Sequence, residues 1–327
     1  MSAVGRPGPG DAVAVLGGTG WVGGHVHAAF ARGARRVLSL ARHPAPRLAP
    51  DAFRTVDLTS VPVRELARLL RDEGVRTVVN ATDGANASDG WDRSEEALRR
   101  TNVTAVHRLL DAVALLPRPV RLVHIGTVHE FGPVPRGTLL GGGVEPRPAG
   151  AYGRSKLDGS RAVLDAAAAT GQVDAVVLRV ASVCGPRPSP ASFVGHLLSA
   201  FRRYADTGAP ARIVVADAAR DFVDVRDVAD AVVAAASPRR QVRGHAVTIG
   251  SGVATPVAEL VTAFRRAAGL PPGAVAERAP DPGAGVGLGG DWVRTDVREA
   301  ERLLDWRPRI GLDRSLRDTW LAAGGQA

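Results

Sequence analysis

A short apolar run that ends on three evenly spaced glycines is the strongest constraint on what this chain can fold into. Residues 11–16 (DAVAVL) read as a buried strand, Gly17-Gly18-Thr19-Gly20-Trp21-Val22-Gly23 follows at once, and a helix continues to about Arg32. A strand, a glycine turn and a helix in that order form the context that a phosphate-binding turn requires. Gly17, Gly20 and Gly23 fall at GxxGxxG spacing, which differs from GxGxxG but does the same physical job. Small residues let the backbone approach a pyrophosphate, and the helix N-terminus offers unpaired N–H groups and a partial positive charge. In a chain with 38 glycines the triplet alone says little, so the flanking strand and helix carry the inference. Thr19, Trp21 and Val22 share the turn and join the glycines as candidate cofactor contacts.

The same alternation continues. Strands are expected at 37–40, 53–58, 77–81, 121–125 and 175–180, with helices at 63–73 and 94–115 and another beginning near Ala151. Alternating βα units imply an α/β fold with a doubly wound parallel sheet. The second strand ends at Ala41-Arg42-His43, where an NAD enzyme usually places an acid for the ribose hydroxyls. No acid stands there, and Arg42 suits a 2′-phosphate, so NADP(H) is favoured and NAD(H) remains possible. Asp57 closes the third strand, either to accept from an adenine amine or to cap the next segment. The strand at 121–125 delivers Gly126-Thr127-Val128-His129-Glu130 at its carboxyl end, the edge where ligands lie in open parallel sheets.

A helix follows that carries Ala151-Tyr152-Gly153-Arg154-Ser155-Lys156. Lys156 is the single lysine among 42 basic residues, and Tyr152 is one of two tyrosines. Four residues apart on a helix, the two side chains share a face. A free phenol has a pKa near ~10, and a fixed cation nearby would lower it, so the pair reads as a proton donor and acceptor; a solvent-exposed helix face is the plain alternative. The remaining charge is scattered arginine. With a net charge of +9 and pI near 11.1 but no basic block or stacking platform, nucleic-acid binding is not expected, whereas anionic small molecules are. Apolar residues make up 45 % without any run long enough for a membrane span. One cysteine, Cys184, excludes an internal disulfide and fits a reducing cytoplasm, and no His/Asp/Glu cluster suggests a metal.

Together, the glycine loop, the strand-end threonine and the Tyr/Lys pair resemble the extended short-chain dehydrogenase/reductases, the NAD-dependent epimerase/dehydratase family. The parts stand in family order: GGTGWVG, Thr127, YxxxK 25 residues later, then RDFVDVRDVADAV. The resemblance implies a Rossmann-type sheet with a smaller C-terminal substrate-binding lobe. Residues 1–10 are then a flexible N-terminal tail, 11–180 an NADP-binding domain carrying the catalytic residues, and 181–327 mostly the lobe, with segments near 212–250 returning to the sheet. Residues 280–290, rich in glycine, read as a mobile loop. By the same resemblance Tyr152 exchanges a proton with the substrate oxygen, Lys156 holds the nicotinamide ribose and lowers the tyrosine pKa, and Thr127 orients the carbonyl. Leu58, Asn80, Ala81 and Ala181 complete the candidate cofactor contacts. Arg220, Arg278, His129 and Ser182 join Thr127 as candidate substrate contacts, Arg220 toward a nucleotide diphosphate.

Dehydratases of the group carry an Asp-Glu pair directly after the threonine, and this chain has Val128-His129 there. Epimerisation beside the ketone needs a further base, for which only Cys184 and the histidines are available. The chain is most similar to the 4-ketoreductases that act on dTDP-4-keto-6-deoxyhexoses in deoxysugar pathways of secondary metabolism. The expectation is NADPH-dependent reduction by a cytoplasmic homodimer. A nucleotide-sugar epimerase with tightly held NAD and a non-catalytic NADP-sensing protein of the same fold are the alternatives.

Overall fold

In the computed structural model, residues 12–83, 94–169, 171–278 and 290–325 are described. The expected N-terminal tail, most of the polar loop after the fourth strand and nearly all of the 280–290 loop lie outside them. The chain begins with β1 (Ala12–Leu16), α1 (Trp21–Arg32), β2 (Val37–Ala41), β3 (Phe53–Thr55), α2 (Val63–Asp72) and β4 (Val75–Asn80). It continues through α3 (Glu95–Arg99), α4 (Ala105–Ala114), β5 (Val120–Thr127), α5 (Ala151–Ala169) and β6 (Val173–Val180). The second half comprises β7 (Ser182–Cys184), α6 (Phe193–Thr207), β8 (Ala211–Val214), β9 (Ala219–Asp224), α7 (Val225–Ala235) and β10 (Ala246–Ile249). It closes with β11 (Ala254–Pro256), α8 (Val257–Ala267), β12 (Val275–Arg278), α9 (Arg298–Leu304) and α10 (Leu312–Ala322).

Seven strands form one sheet in the order β10-β6-β5-β4-β1-β2-β3, and every pairing in it is parallel. Such a sheet must be covered on both faces, which is why β1 is buried along its whole length. Val13 and Val15 point to one core with Val26, Ala29 and Phe30 of α1 and the apolar face of α7. Ala12, Ala14 and Leu16 point to the other, with Leu66 and Leu70 of α2, Leu109 of α4 and Val163 of α5. This is the doubly wound Rossmann architecture. The strand order reverses between β1 and β4, and that switch point opens a crevice at the carboxyl edge.

A smaller lobe stands over this edge. It holds a three-stranded sheet, β11-β9-β7, and the pair β12-β8, around a third core that includes Phe201, Phe264 and Trp320. Of the segment 212–250, only β10 joins the large sheet, beside β6; β8 and β9 belong to the small ones.

Two of the differences in extent from the expected elements have a visible cause. The third strand stops at Thr55 because the Asp57 carboxylate accepts from the backbone N–H and the hydroxyl of Thr59, at 2.9 and 2.7 Å, and turns the chain. The helix expected over 94–115 is interrupted by a π turn, Arg100–Thr104, in which buried Asn102 donates to Ser155 of α5 at 3.0 Å. A tertiary contact of this kind leaves no periodic signature.

Candidate active site

The glycine turn sits under β4. Gly17 adopts φ +75°, and a side chain there would stand 2.7 Å from the Ala81 carbonyl. A Cβ on Gly23 would come within 2.2 Å of the Gly17 carbonyl, so only glycine lets α1 start this close to the turn. The Trp21 indole and His25 meet the Pro186 carbonyl at 3.0 and 3.2 Å, tying α1 to the loop after β7. Arg47, which the sequence reading passed over, donates to the carbonyls of Thr19 and Gly20 at 2.8 and 3.1 Å and braces the turn from outside. Its only sequence signal was its place in the loop after β2.

One cavity of about 1320 Å³ runs along the carboxyl edge between the sheet and the smaller lobe. Its wall takes in Gly17, Thr19, Gly20, Trp21, Val22 and Gly23 at one end, with Arg42, Asp57, Leu58 and Ala81 beside them. Thr127, His129, Tyr152, Lys156, Ala181, Ser182 and Arg220 line the rest. Two of the candidate residues fall elsewhere. Asn80 is fully buried, donating to His124 Nδ1 at 3.1 Å and accepting from Thr82, so its side chain does not reach the cavity. Arg278 ends β12 beside Val214, exposed and off the cavity wall.

The reactive groups are set by β5 and α5. Thr127 ends β5 and caps a short 3₁₀ turn: its hydroxyl accepts from the His129 N–H at 3.3 Å, while Glu130 Oε1 accepts from the Thr127 N–H at 3.0 Å. Glu130 does not line the cavity. It is completely buried behind the turn, accepting also from Ser160 Oγ and from Arg179 Nε, each at 2.8 Å. On α5, Gly153 lies so close to the turn that a Cβ would sit 2.6 Å from the His129 carbonyl. The first turn of α5, with Tyr152, is therefore pressed against Thr127, and the Tyr152 and His129 rings meet edge to face at 6.0 Å.

Tyr152 is 6 % exposed and donates its hydroxyl proton to Asp83 Oδ2 at 2.8 Å. Asp83 stands just past the end of β4, also on the cavity wall, and was missed in the sequence; a carboxylate at the carboxyl edge of a strand was the available signal. The phenol pKa is raised well above its ordinary value, by burial first and then by the Asp83 charge, against a smaller lowering from a Thr127 hydrogen bond. The net direction is opposite to the expected lowering, because burial and Asp83 dominate it. The Lys156 ammonium, 3 % exposed, donates to the Ile125 carbonyl at 2.8 Å. Burial and the nearby Lys156 charge push the pKa of His124 down to about 3, so that imidazole stays neutral.

In the smaller lobe, β9 alternates. Arg220 faces the cavity and donates to the Gly290 carbonyl, while Asp221 points the opposite way, fully buried. Cys184 faces α10, near Ser315, with burial pushing its thiol up to about 12, which removes it as a base. Among the described residues no group of three His, Cys, Asp or Glu is placed to hold a metal ion, and no helix is long and apolar enough to cross a membrane.

These residues fit a dinucleotide: a glycine turn that side chains would fill, a cation at the end of β2, and a Tyr/Lys pair across the switch point. The volume exceeds the roughly 300–1,000 Å³ of a single small-molecule site, leaving room for a second ligand under Arg220.

Comparison with known proteins gives the same picture. Residues 13–250 match the family model described as NAD dependent epimerase/dehydratase family. The chain is 36 % identical over 312 residues to the dTDP-6-deoxy-L-talose 4-dehydrogenase (NAD(P)(+)) of Kitasatospora kifunensis, covering 95 % of each protein. It is 29 % identical over 184 residues to the dTDP-L-rhamnose 4-epimerase of Burkholderia thailandensis, covering 54 % of this chain and 48 % of the other. Among solved structures it is similar to MoeE5 in complex with UDP-glucose and NAD, with TM-score 0.81 and 28 % identity over 96 % of this chain and 99 % of that one.

Proposed function

The chain belongs to the NAD dependent epimerase/dehydratase family, and from that premise we propose that it reduces the 4-keto group of a nucleotide-activated 6-deoxyhexose, with dTDP as the nucleotide and NADPH as the reductant. The observation that carries this reading is the composition of the cavity wall around Tyr152. Thr127, Tyr152 and Lys156 are sufficient for carbonyl reduction, and the positions directly after Thr127 hold Val128 and His129 in place of the Asp-Glu pair of the dehydratases, while the carboxylate beside the phenol, Asp83, accepts its hydrogen bond. The similarity to a dTDP-6-deoxyhexose 4-dehydrogenase over nearly the whole chain supports the same carbon and the same class of sugar.

The nicotinamide, when bound, supplies the hydride. Everything else falls to this chain's own groups. The Thr127 hydroxyl and the Tyr152 phenol hold the carbonyl oxygen, and the phenol gives its proton as negative charge develops there. The Lys156 ammonium lies one helical turn beyond and fixes positive charge beneath the reacting oxygen. Arg220 meets the diphosphate of the substrate. Arg42, on the cavity wall at the end of β2, would meet a 2′-phosphate. Arg42→Ala is therefore expected to weaken NADPH far more than NADH in a fluorescence titration; equal losses would reject that contact.

A second reading is a 4-epimerase with tightly held NAD, favoured by the rhamnose 4-epimerase similarity and by the likeness to an NAD-bound structure. Cofactor consumption separates the two. Incubation with a panel of dTDP-4-keto-6-deoxyhexoses should oxidise NADPH mole for mole with product, whose configuration is read by NMR. Conversion of a dTDP-hexose without net cofactor change would establish the epimerase instead.

A further inference from the structure

Arg220 is one member of a regular series. Val214, Ala216, Ala218, Arg220 and Phe222 line the cavity, and the residues between them do not. Successive side chains of an extended chain point to opposite sides, so the segment from the end of β8 through β9 turns one face to the cavity. On its other side Ile213 and Asp221 are buried. The alternation survives the bend between the two strands, where the Ala218 N–H donates to the Ala216 carbonyl at 2.8 Å. This face changes character along its length. At Arg220 it carries the guanidinium assigned above to a diphosphate, whereas from 218 back to 214 it offers three side chains without a polar atom. Val257, whose N–H donates to the Ala218 carbonyl at 2.9 Å, extends the apolar stretch sideways. Val214 is 46 % exposed, and of the large apolar side chains exposed among the described residues it alone stands in the cavity wall. A side chain so placed is stabilised by an apolar group that covers it.

A nucleotide-activated sugar has the matching polarity: an anionic diphosphate, with a flat base beyond it whose two faces are apolar. Thymine and uracil share the same ring carbonyls and imide and differ only at C5, which carries a methyl group in one and hydrogen in the other. A valine side chain neither donates nor accepts a hydrogen bond, so it can tell these bases apart only through that methyl group. We propose that Val214 is a specificity-determining residue that packs on the C5 methyl of thymine, with Ala216, Ala218 and Val257 against the ring, and so selects a thymidine over a uridine diphosphate. The inference rests on the reading above, in which Arg220 holds the diphosphate of a nucleotide-activated sugar, and it names the contact that chooses the nucleotide. Ala216 and Ala218, being small, leave the ring room to lie along the chain between Val214 and the arginine.

Calorimetric titration of the full chain with dTDP, dUDP and UDP tests this without turnover. The first two differ by the C5 methyl alone, and the last two by the ribose 2′-hydroxyl alone. The wild type should bind dTDP at least about fourfold more tightly than dUDP, the worth of one buried methyl group. In Val214→Ala that ratio should fall to near one, and Val214→Thr, which keeps the branched shape and one methyl, should hold an intermediate ratio. The step from dUDP to UDP should be the same in all three proteins, because the substitutions touch only the base contact. Reading ratios removes any common effect on folding, and NADPH titration of each variant shows that the dinucleotide half is intact. A wild-type ratio near one, or an undiminished ratio in Val214→Ala, overturns the inference and leaves the ketoreductase reading intact. Failure of the wild type to bind any of the three nucleotides, with NADPH binding retained, overturns both.

Discussion

Tyr152 and its neighbours show how far spacing alone carries a chemical reading. Four residues on a helix bring Lys156 onto the face of Tyr152, but spacing is silent about what faces that pair from elsewhere in the chain. Burial and Asp83, arriving from β4, raise the phenol pKa and outweigh the expected effect of the ammonium. The phenol thus keeps its proton past the ordinary value of about 10 in the unliganded arrangement, where it is a weaker acid, and its donation is driven by the charge that develops on the substrate oxygen. Tyr152→Phe should lower turnover by roughly 10²- to 10⁴-fold, the usual worth of a positioned acid, while NADPH affinity is unchanged; near-normal turnover would sink the role. The ionisation itself is open to measurement because the chain has only two tyrosines. In a Tyr204→Phe background, phenolate absorbance should rise at lower pH in Asp83→Asn than in its parent, since removing the negative neighbour favours the charged phenolate. Superimposable curves would mean that the carboxylate does not act on Tyr152.

At the scale of elements, β1, the glycine turn and α1 were legible because local steric need and a continuous apolar run coincide there. The ends of β3 and the break between α3 and α4 were not, since a side-chain turn at Asp57 and a π turn at Asn102 are made by particular contacts rather than by periodicity. The seat of Thr127 was half legible. Its place at a strand end followed from the sequence, but nothing there assigned Glu130 a role, and it proves to be the buried support, paired with Arg179 of β6. Both members of that pair are almost wholly buried, at 0 and 9 % side-chain exposure. Removing one partner strands the other charge, so Arg179→Leu should cost about 3–5 kcal/mol of stability, measured by urea unfolding. Glu130→Gln added to Arg179→Leu should recover part of the loss, and a cost as small as that of a surface pair would show that Glu130 finds another partner.

For the molecule as a whole, the question is how a lobe built from β7, β9 and β11 and the β8-β12 pair is registered against a sheet it joins only along one edge. Asp221 provides one answer. Its carboxylate accepts from the N–H and hydroxyl of Ser251, the N–H of Gly252, and the N–H and hydroxyl of Thr295, at 2.5–3.0 Å. Ser251 and Gly252 follow β10, the edge strand of the large sheet, so this single side chain ties β9 to the sheet's border and to the segment before α9. The RDF sequence pointed to its arginine as a ligand contact and said nothing of the aspartate, whose partners lie 30 and 74 residues away. Because alternate residues of a strand face opposite ways, the latch on one side of β9 fixes Arg220 on the other, above the cavity. Asp221→Ala should release that register while leaving the glycine turn, built on β1 and α1, untouched. Calorimetric titration should therefore show dTDP binding weakened by about tenfold or more, as for loss of several buried hydrogen bonds, with NADPH affinity little changed. Parallel losses for both ligands would mean that the latch holds up the whole fold, and unchanged dTDP binding would mean that Arg220 is positioned by its own contact with Gly290.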